Sequence, residues 1–130
     1  MPIRAIKGAT TVPVDSAREV CAATTELLQA MMEQNGIGVG QVISLMLTAT
    51  PDLRSEFPAR GARDAGWGDV PMLCAQEIDV PGALPRCIRV LAHVEVGEGA
   101  RVRHVYLRDA RELRPDLAAP AGEGTRAGER

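Results

Sequence analysis

Residues 87–96 alternate without a break: Ile88, Val90, Ala92, Val94 and Val96 are apolar, and Cys87, Arg89, Leu91, His93 and Glu95 stand between them. In a strand the two sets point to opposite faces, so the even set predicts a core-facing row. Arg89 then lies mid-strand on the second face, flanked there by Cys87 and Leu91. Most arginines so placed simply cover a solvated sheet face. Here the neighbours on its own face are apolar, which predicts partial cover. Upstream, the apolar run 70–75 leads to Glu77 and breaks at Pro81-Gly82, so a second strand is expected to bring a carboxylate nearby. An arginine held on a rigid strand in a lined pocket is a device for gripping an anion.

The remaining pattern supplies the other elements. Residues 2–9 alternate charged and apolar, with Ile3 and Ile6 flanking Arg4 and Lys7 just before Gly8, and predict a first strand. Ser16 with Glu19 three residues on is a capping-box pattern, for which Asp15 is a competing N-cap. Val20, Ala23, Leu27, Leu28 and Met31 follow at helical spacing, and Asn35-Gly36 supplies the stop. This predicts one long helix over 16–34, with Met31-Met32 as core filling. The apolar run 41–49 has the length of a buried strand. Pro58 and Gly66 bracket a short helix, which puts Arg60 and Arg63 on one face; alone, that pair reads as solvated surface. A tight turn at Gly97-Glu98-Gly99 precedes a fifth strand over 102–107, with Tyr106 on the face of Val102 and His104. Residues 108–113 read equally as helix or irregular chain. The stretch 118–130 is small, Gly-rich and charged, and is expected to be a mobile tail behind a single domain of residues 1–117.

A long helix, a short one and about five strands without regular βαβ alternation predict an α+β fold with a mixed sheet. One helix covers at most one face of such a sheet. A symmetric homo-oligomer is the expected cover for the other.

Composition narrows the function classes. The 130 residues are 45% hydrophobic and 25% charged, as in an ordinary globular domain. Phe57, Trp67 and Tyr106 are the whole aromatic inventory, which leaves almost nothing for base stacking. A net charge of -2 argues further against a nucleic-acid partner. Cys21, Cys74 and Cys87 form no CxxC and no even framework, and His93 and His104 lack ligand spacing, so neither a disulfide scaffold nor a metal site is expected. The N-terminal residues have no apolar signal region and no run approaches membrane-spanning length. A reducing cytoplasm is the expected location. What remains is a set of cations on several separate elements, one carboxylate, one tyrosine and no histidine with an orienting partner.

At this point a resemblance enters. The segments Ile3-Arg-Ala-Ile-Lys-Gly-Ala-Thr-Thr-Val12, Thr48-Ala-Thr-Pro-Asp-Leu53, Phe57-Pro-Ala59 with Arg63, Cys74-Ala-Gln-Glu77, Leu84 to Arg89, Arg103-His-Val-Tyr-Leu107 and Leu113-Arg-Pro-Asp-Leu117 resemble the monofunctional chorismate mutases of the AroH (Bacillus) type. The match runs in order over residues 3 to about 117 with nearly unchanged spacing. It implies a homotrimer whose subunits form a pseudo-α/β-barrel core, with active sites between neighbours. It implies rearrangement of chorismate to prephenate without cofactor or metal. Residue by residue, it puts Arg89 at the ether oxygen and a carboxylate, and Glu77 and the backbone of Cys74 at the ring hydroxyl. Ala75 and Gln76 fall in that same substrate-binding segment. Tyr106 falls at the side-chain carboxylate, and Phe57, Leu73 and Leu113 at apolar walls. Arg60, Arg63 and Arg114 fall at the cleft rim, the first two from a neighbouring subunit. One position departs: Lys7 stands where the family motif has a carboxylate-binding arginine, which keeps the charge and loses the planar fork.

The chemistry fits independently. A pericyclic rearrangement of a dianion needs no nucleophile and no proton transfer, but a confining cleft and a fixed positive charge at the breaking C–O bond. Two other readings share these features: a trimeric YjgF-like imine deaminase, and a trimer that binds small acids without turnover.

Overall fold

The computed structural model describes residues 1–114, so the expected tail at 118–130 lies outside the described residues. The strands are β1 (Ile3–Thr11), β2 (Val42–Ala49), β3 (Met72–Gln76), β4 (Cys87–Glu95) and β5 (Val105–Tyr106); the helices are α1 (Ala17–Asn35) and α2 (Pro58–Ala62). The strands form one sheet in the order β3-β2-β4-β1-β5. Strand β4 runs antiparallel to both β1 and β2, while β3 pairs parallel with β2 and β5 parallel with β1. The fold is therefore α+β with a mixed five-stranded sheet, as the sequence predicts. The expectation of no βαβ alternation needs correction: β2, α2 and β3 form a crossover unit, and β1, α1 and β2 another with β4 intercalated. The five-residue α2 is too short to announce a crossover by periodicity.

Helix α1 forms where the cap and the apolar stripe agree. Ser16 Oγ accepts from the backbone N–H of Glu19 at 3.2 Å, and Gly36 closes the helix at φ 62° with its N–H turned back to Glu33 and Met32. That positive φ is why glycine stands there. Asp15 is not the cap: its carboxylate accepts from the N–H groups of Arg54 and Ser55 and ties the β2–α2 loop to the start of α1. Leu27, Leu28 and Met31 are wholly buried against Ile6, Val90, Ala92 and Val94, roughly 1.5–3 kcal/mol of burial for each large side chain. The even residues of β4 thus face α1, as their alternation predicts. No helix among the described residues is long and apolar enough to cross a membrane.

Helix α2 lies on the α1 side of the sheet. A Cβ at Gly61 would sit 2.9 Å from both Cα and O of Cys21, that is, against α1 backbone. Backbone cannot swing aside as a side chain can. Gly61→Ala is expected to lower stability by about 1–3 kcal/mol, read as a fall in denaturant midpoint at unchanged m-value. At Gly8 the close atom is the flexible Met31 Sδ, so Gly8→Ala should cost less.

The fifth strand is shorter than its sequence suggests. Only Val105 and Tyr106 pair with β1. Across 101–104 side chains do the work of a ladder: His104 Nδ1 accepts the Lys7 N–H at 3.0 Å, and Asn35 accepts the Arg103 N–H at 2.7 Å and donates to its carbonyl at 3.0 Å. Without a continuous strand the expected alternation fails. Val102 packs on the α1-side core, whereas Tyr106 joins Ala9 and Ala110 on the other face, so Tyr106 does not share a face with Val102. The ambiguous segment after it is a 3-10 turn, Arg108–Glu112.

Candidate active site on the uncovered sheet face

The face opposite α1 gathers several of the predicted site residues. Register places Ala75 beside Thr48, Thr48 opposite Arg89, Arg89 opposite Ala9, and Ala9 beside Tyr106. One transverse row therefore crosses all five strands. Two residues along the strands, roughly 7 Å away, a second row runs Leu73, Met46, Leu91, Lys7. Strand parity keeps both rows on one face. Arg89, Lys7, Tyr106, Ala75 and Leu73, scattered over 100 residues of chain, share that surface.

Arg89 is central. Its Nε lies 3.1 Å from Glu77 Oε2, with 43% of the arginine side chain and 19% of the glutamate side chain exposed. The distance is that of an ion pair, yet the buried Nε–H does not align as a hydrogen bond to the oxygen. We read the approach as electrostatic, leaving the fork of donors available to an anion. Glu77 is aimed by its backbone, whose N–H donates to the Ala49 carbonyl at 2.9 Å and carries the β3–β2 pairing one step past the strand end. The partial cover expected for the Arg89 face is real: Cys87 is fully buried, and Ala9, Tyr106 and Ala110 pack with Leu84 and Leu113. The 3-10 turn thus roofs one end of the row and brings Leu113 to Tyr106.

Burial pushes the Cys87 thiol up to about 11 from 9.0, with the Arg89 guanidinium pulling the other way. The raised value favours the neutral thiol in the folded state. Its contribution to stability is whole below about pH 9 and is lost as pH rises through about 11. Native Cys87 is expected to resist iodoacetamide at pH 8 and to be labelled on unfolding, which peptide mass spectrometry would detect.

Other predicted residues lie elsewhere. The Cys74 side chain turns to the α1-side core, so only its backbone is offered to this face. Gln76 has the same parity and is exposed. Phe57, 66% exposed, precedes α2. Arg60 and Arg63 are on and just after it, Arg60 in surface ion pairs with Glu56 and Asp64. Because α2 packs on α1, one chain does not bring these three to Arg89. Arg114 follows the 3-10 turn directly after Leu113. A separate cleft of about 520 Å³ between residues 50–54 and 78–85 contains none of the predicted site residues.

Sequence reasoning missed Thr48. Its hydroxyl donates to Glu77 Oε2 at 2.5 Å. The available signal was parity: in the run 41–49, Thr48 alternates with the buried Leu45 and Leu47 and so faces the Arg89 side.

Comparison with known proteins identifies the family. The family model "Chorismate mutase type I" matches residues 3–117. Chorismate mutase AroH of Bacillus subtilis is 44% identical over 120 residues, covering 91% of this chain and 94% of that protein. Chorismate mutase AroH of Thermus thermophilus is 49% identical over 118 residues, covering 88% and 96%. A solved chorismate mutase from Clostridium thermocellum superposes with a TM-score of 0.80 at 45% identity, covering 85% of this chain and 99% of that one. With this level of identity over nearly the full length of each relative, the chain belongs to the type I chorismate mutase family.

Proposed function

We propose that this protein is a chorismate mutase that converts chorismate to prephenate by confinement and electrostatics, as a homotrimer with its active sites between subunits. The observation that carries the reading is the pair of rows on the uncovered sheet face, where an ionic Arg89–Glu77 pair shares one row with Tyr106 on β5 and Lys7 stands in the next row on β1. In the rearrangement one C–O bond breaks as one C–C bond forms, and no proton moves. Arg89 neutralises the charge that develops on the ether oxygen and grips a carboxylate; being fixed on β4, it needs no reorganisation during the reaction. Glu77 and the backbone of Cys74 hold the ring hydroxyl. Lys7 and Tyr106 hold carboxylates, Arg114 stands at the cleft rim, and Leu73, Ala75 and Leu113 line the cleft. The enolpyruvyl arm is thereby folded over the ring, which replaces a conformational search with a bound geometry.

Two features support the oligomer. The sheet face opposite α1 leaves Met46 39%, Ile3 56% and Leu73 67% exposed in a single chain, apolar surface that a second copy would cover. Phe57, Arg60 and Arg63 belong to the opposite layer of their own chain, so they reach an Arg89 only if it is a neighbour's. Three unpaired thiols suit a reducing cytoplasm. Loss of chorismate absorbance with the purified protein tests the activity, and no loss above the uncatalysed rate would sink it.

Lys7→Arg is expected to lower KM with kcat nearly unchanged. The carboxylate it binds is equally charged in ground and transition states, so a better fork adds uniform binding. An unchanged KM would mean that the lysine's point charge suffices.

A further inference from the structure

We propose that Thr48 is a positioning residue that holds Glu77 so that one defined carboxylate oxygen meets the ring hydroxyl of the substrate. The inference rests on the reading of Glu77 given above. Thr48 Oγ1 donates to Glu77 Oε2 at 2.5 Å, and Arg89 Nε approaches the same oxygen at 3.1 Å. Among the described residues neither contact falls on Oε1, which is left to accept from a ligand. A threonine hydroxyl carries one hydrogen. Thr48 uses it on Glu77 and has none left to donate to the substrate, so the contact the structure shows is one that orients Glu77.

The support is unusually rigid for a side-chain contact. Thr48 sits in β2 with β3 on one side and β4 on the other, beside Ala75 and opposite Arg89. Its β-branched side chain has few χ1 choices. Glutamate, by contrast, has a long flexible side chain, and Glu77 stands one residue beyond the end of β3. A carboxylate free to rotate would offer Arg89 and the substrate either oxygen. Anchoring Oε2 from two neighbouring strands separates the duties: Oε2 faces the arginine and Oε1 the hydroxyl. Discrimination for a substrate bearing that hydroxyl follows, since a site built around a hydrogen bond penalises its absence.

The test uses Thr48→Val, which keeps shape and β-propensity, with Thr48→Ser restoring the hydroxyl and Thr48→Ala as a second deletion should valine fold poorly. Each is assayed on chorismate and on the analogue with hydrogen in place of the ring hydroxyl. Thr48→Val should lower kcat/KM for chorismate about tenfold to a hundredfold, the usual weight of a hydrogen bond to a charged group. Thr48→Ser should recover most of it, and the deoxy analogue should show no difference between wild type and Thr48→Val. Equal losses on both substrates, or none, would overturn the proposal and leave Thr48 as packing. Glu77→Ala run in parallel separates the failures. If it loses rate only on chorismate while Thr48→Val does not, the Thr48 proposal alone is wrong. If Glu77→Ala affects both substrates alike, the hydroxyl is not bound by Glu77, and both statements fall.

Discussion

Arg89→Ala is expected to lower kcat a hundredfold to a thousandfold or more while circular dichroism and oligomeric state stay as in the wild type. Removing one preorganised donor from a developing oxyanion typically costs roughly 3–4 kcal/mol of transition-state stabilisation. The structure gives reasons to expect the upper part of that range. Arg89 is inside the central strand β4, paired on both sides by Thr48 and Ala9, and the neighbouring Cys87 is buried. Its guanidinium is therefore held by a rigid backbone, and among the described residues no other cation occupies the same row. The side chain contributes little to the core, since 43% of it is exposed, so its loss should spare the fold. Arg89→Lys should recover little, because one ammonium cannot serve an ether oxygen and a carboxylate in a planar fork. Citrulline at position 89 separates charge from shape. Near wild-type turnover with citrulline would show that confinement alone carries the reaction, and the electrostatic account would fail.

Mixing two inactive variants should restore activity. Arg63→Ala and Arg89→Ala are each expected to be severely impaired, because each removes a cation from every site. If a site takes Arg89 from one subunit and Arg63 from the next, an equimolar exchanged mixture should contain intact sites at about one in four by random pairing around the proposed trimer. The expected recovery is thus about a quarter of wild-type kcat per site. The reasoning starts from the layers: Arg63 directly follows α2, which packs on α1, while Arg89 points from the other side of the sheet. No recovery after verified subunit exchange, or a monomer by light scattering at micromolar concentration, would contradict the shared site.

Much of this was legible in the residues alone. The 87–96 alternation assigned Arg89 to the less apolar face, because a two-residue period survives wherever one side of a strand packs a core. The α1 boundaries followed from Ser16 and Gly36, whose capping chemistry is local. The resemblance over residues 3–117 supplied the roles, and spacing alone would not have told Arg63 from any other exposed arginine. The misreadings have a common origin. Residues 102–104 look like strand, yet Asn35, 68 positions away, satisfies the backbone of Arg103, and the His104 ring takes the N–H of Lys7, 97 positions away, where a ladder carbonyl would stand. Asp15 looks like a cap, yet it serves a loop 39 residues on.

The sequence by itself determined the placement of α1 and of β1 to β4 and which face of β4 is apolar, since these depend on neighbours within a few positions. Only the tertiary structure decided that Ala75, Thr48, Arg89, Ala9 and Tyr106 form one row, and that Thr48 and Arg89 meet on a single oxygen of Glu77. Strand order and register are set by long-range pairing, which a one-residue slip would undo, and no local pattern in the chain encodes the distance between two side chains on different strands.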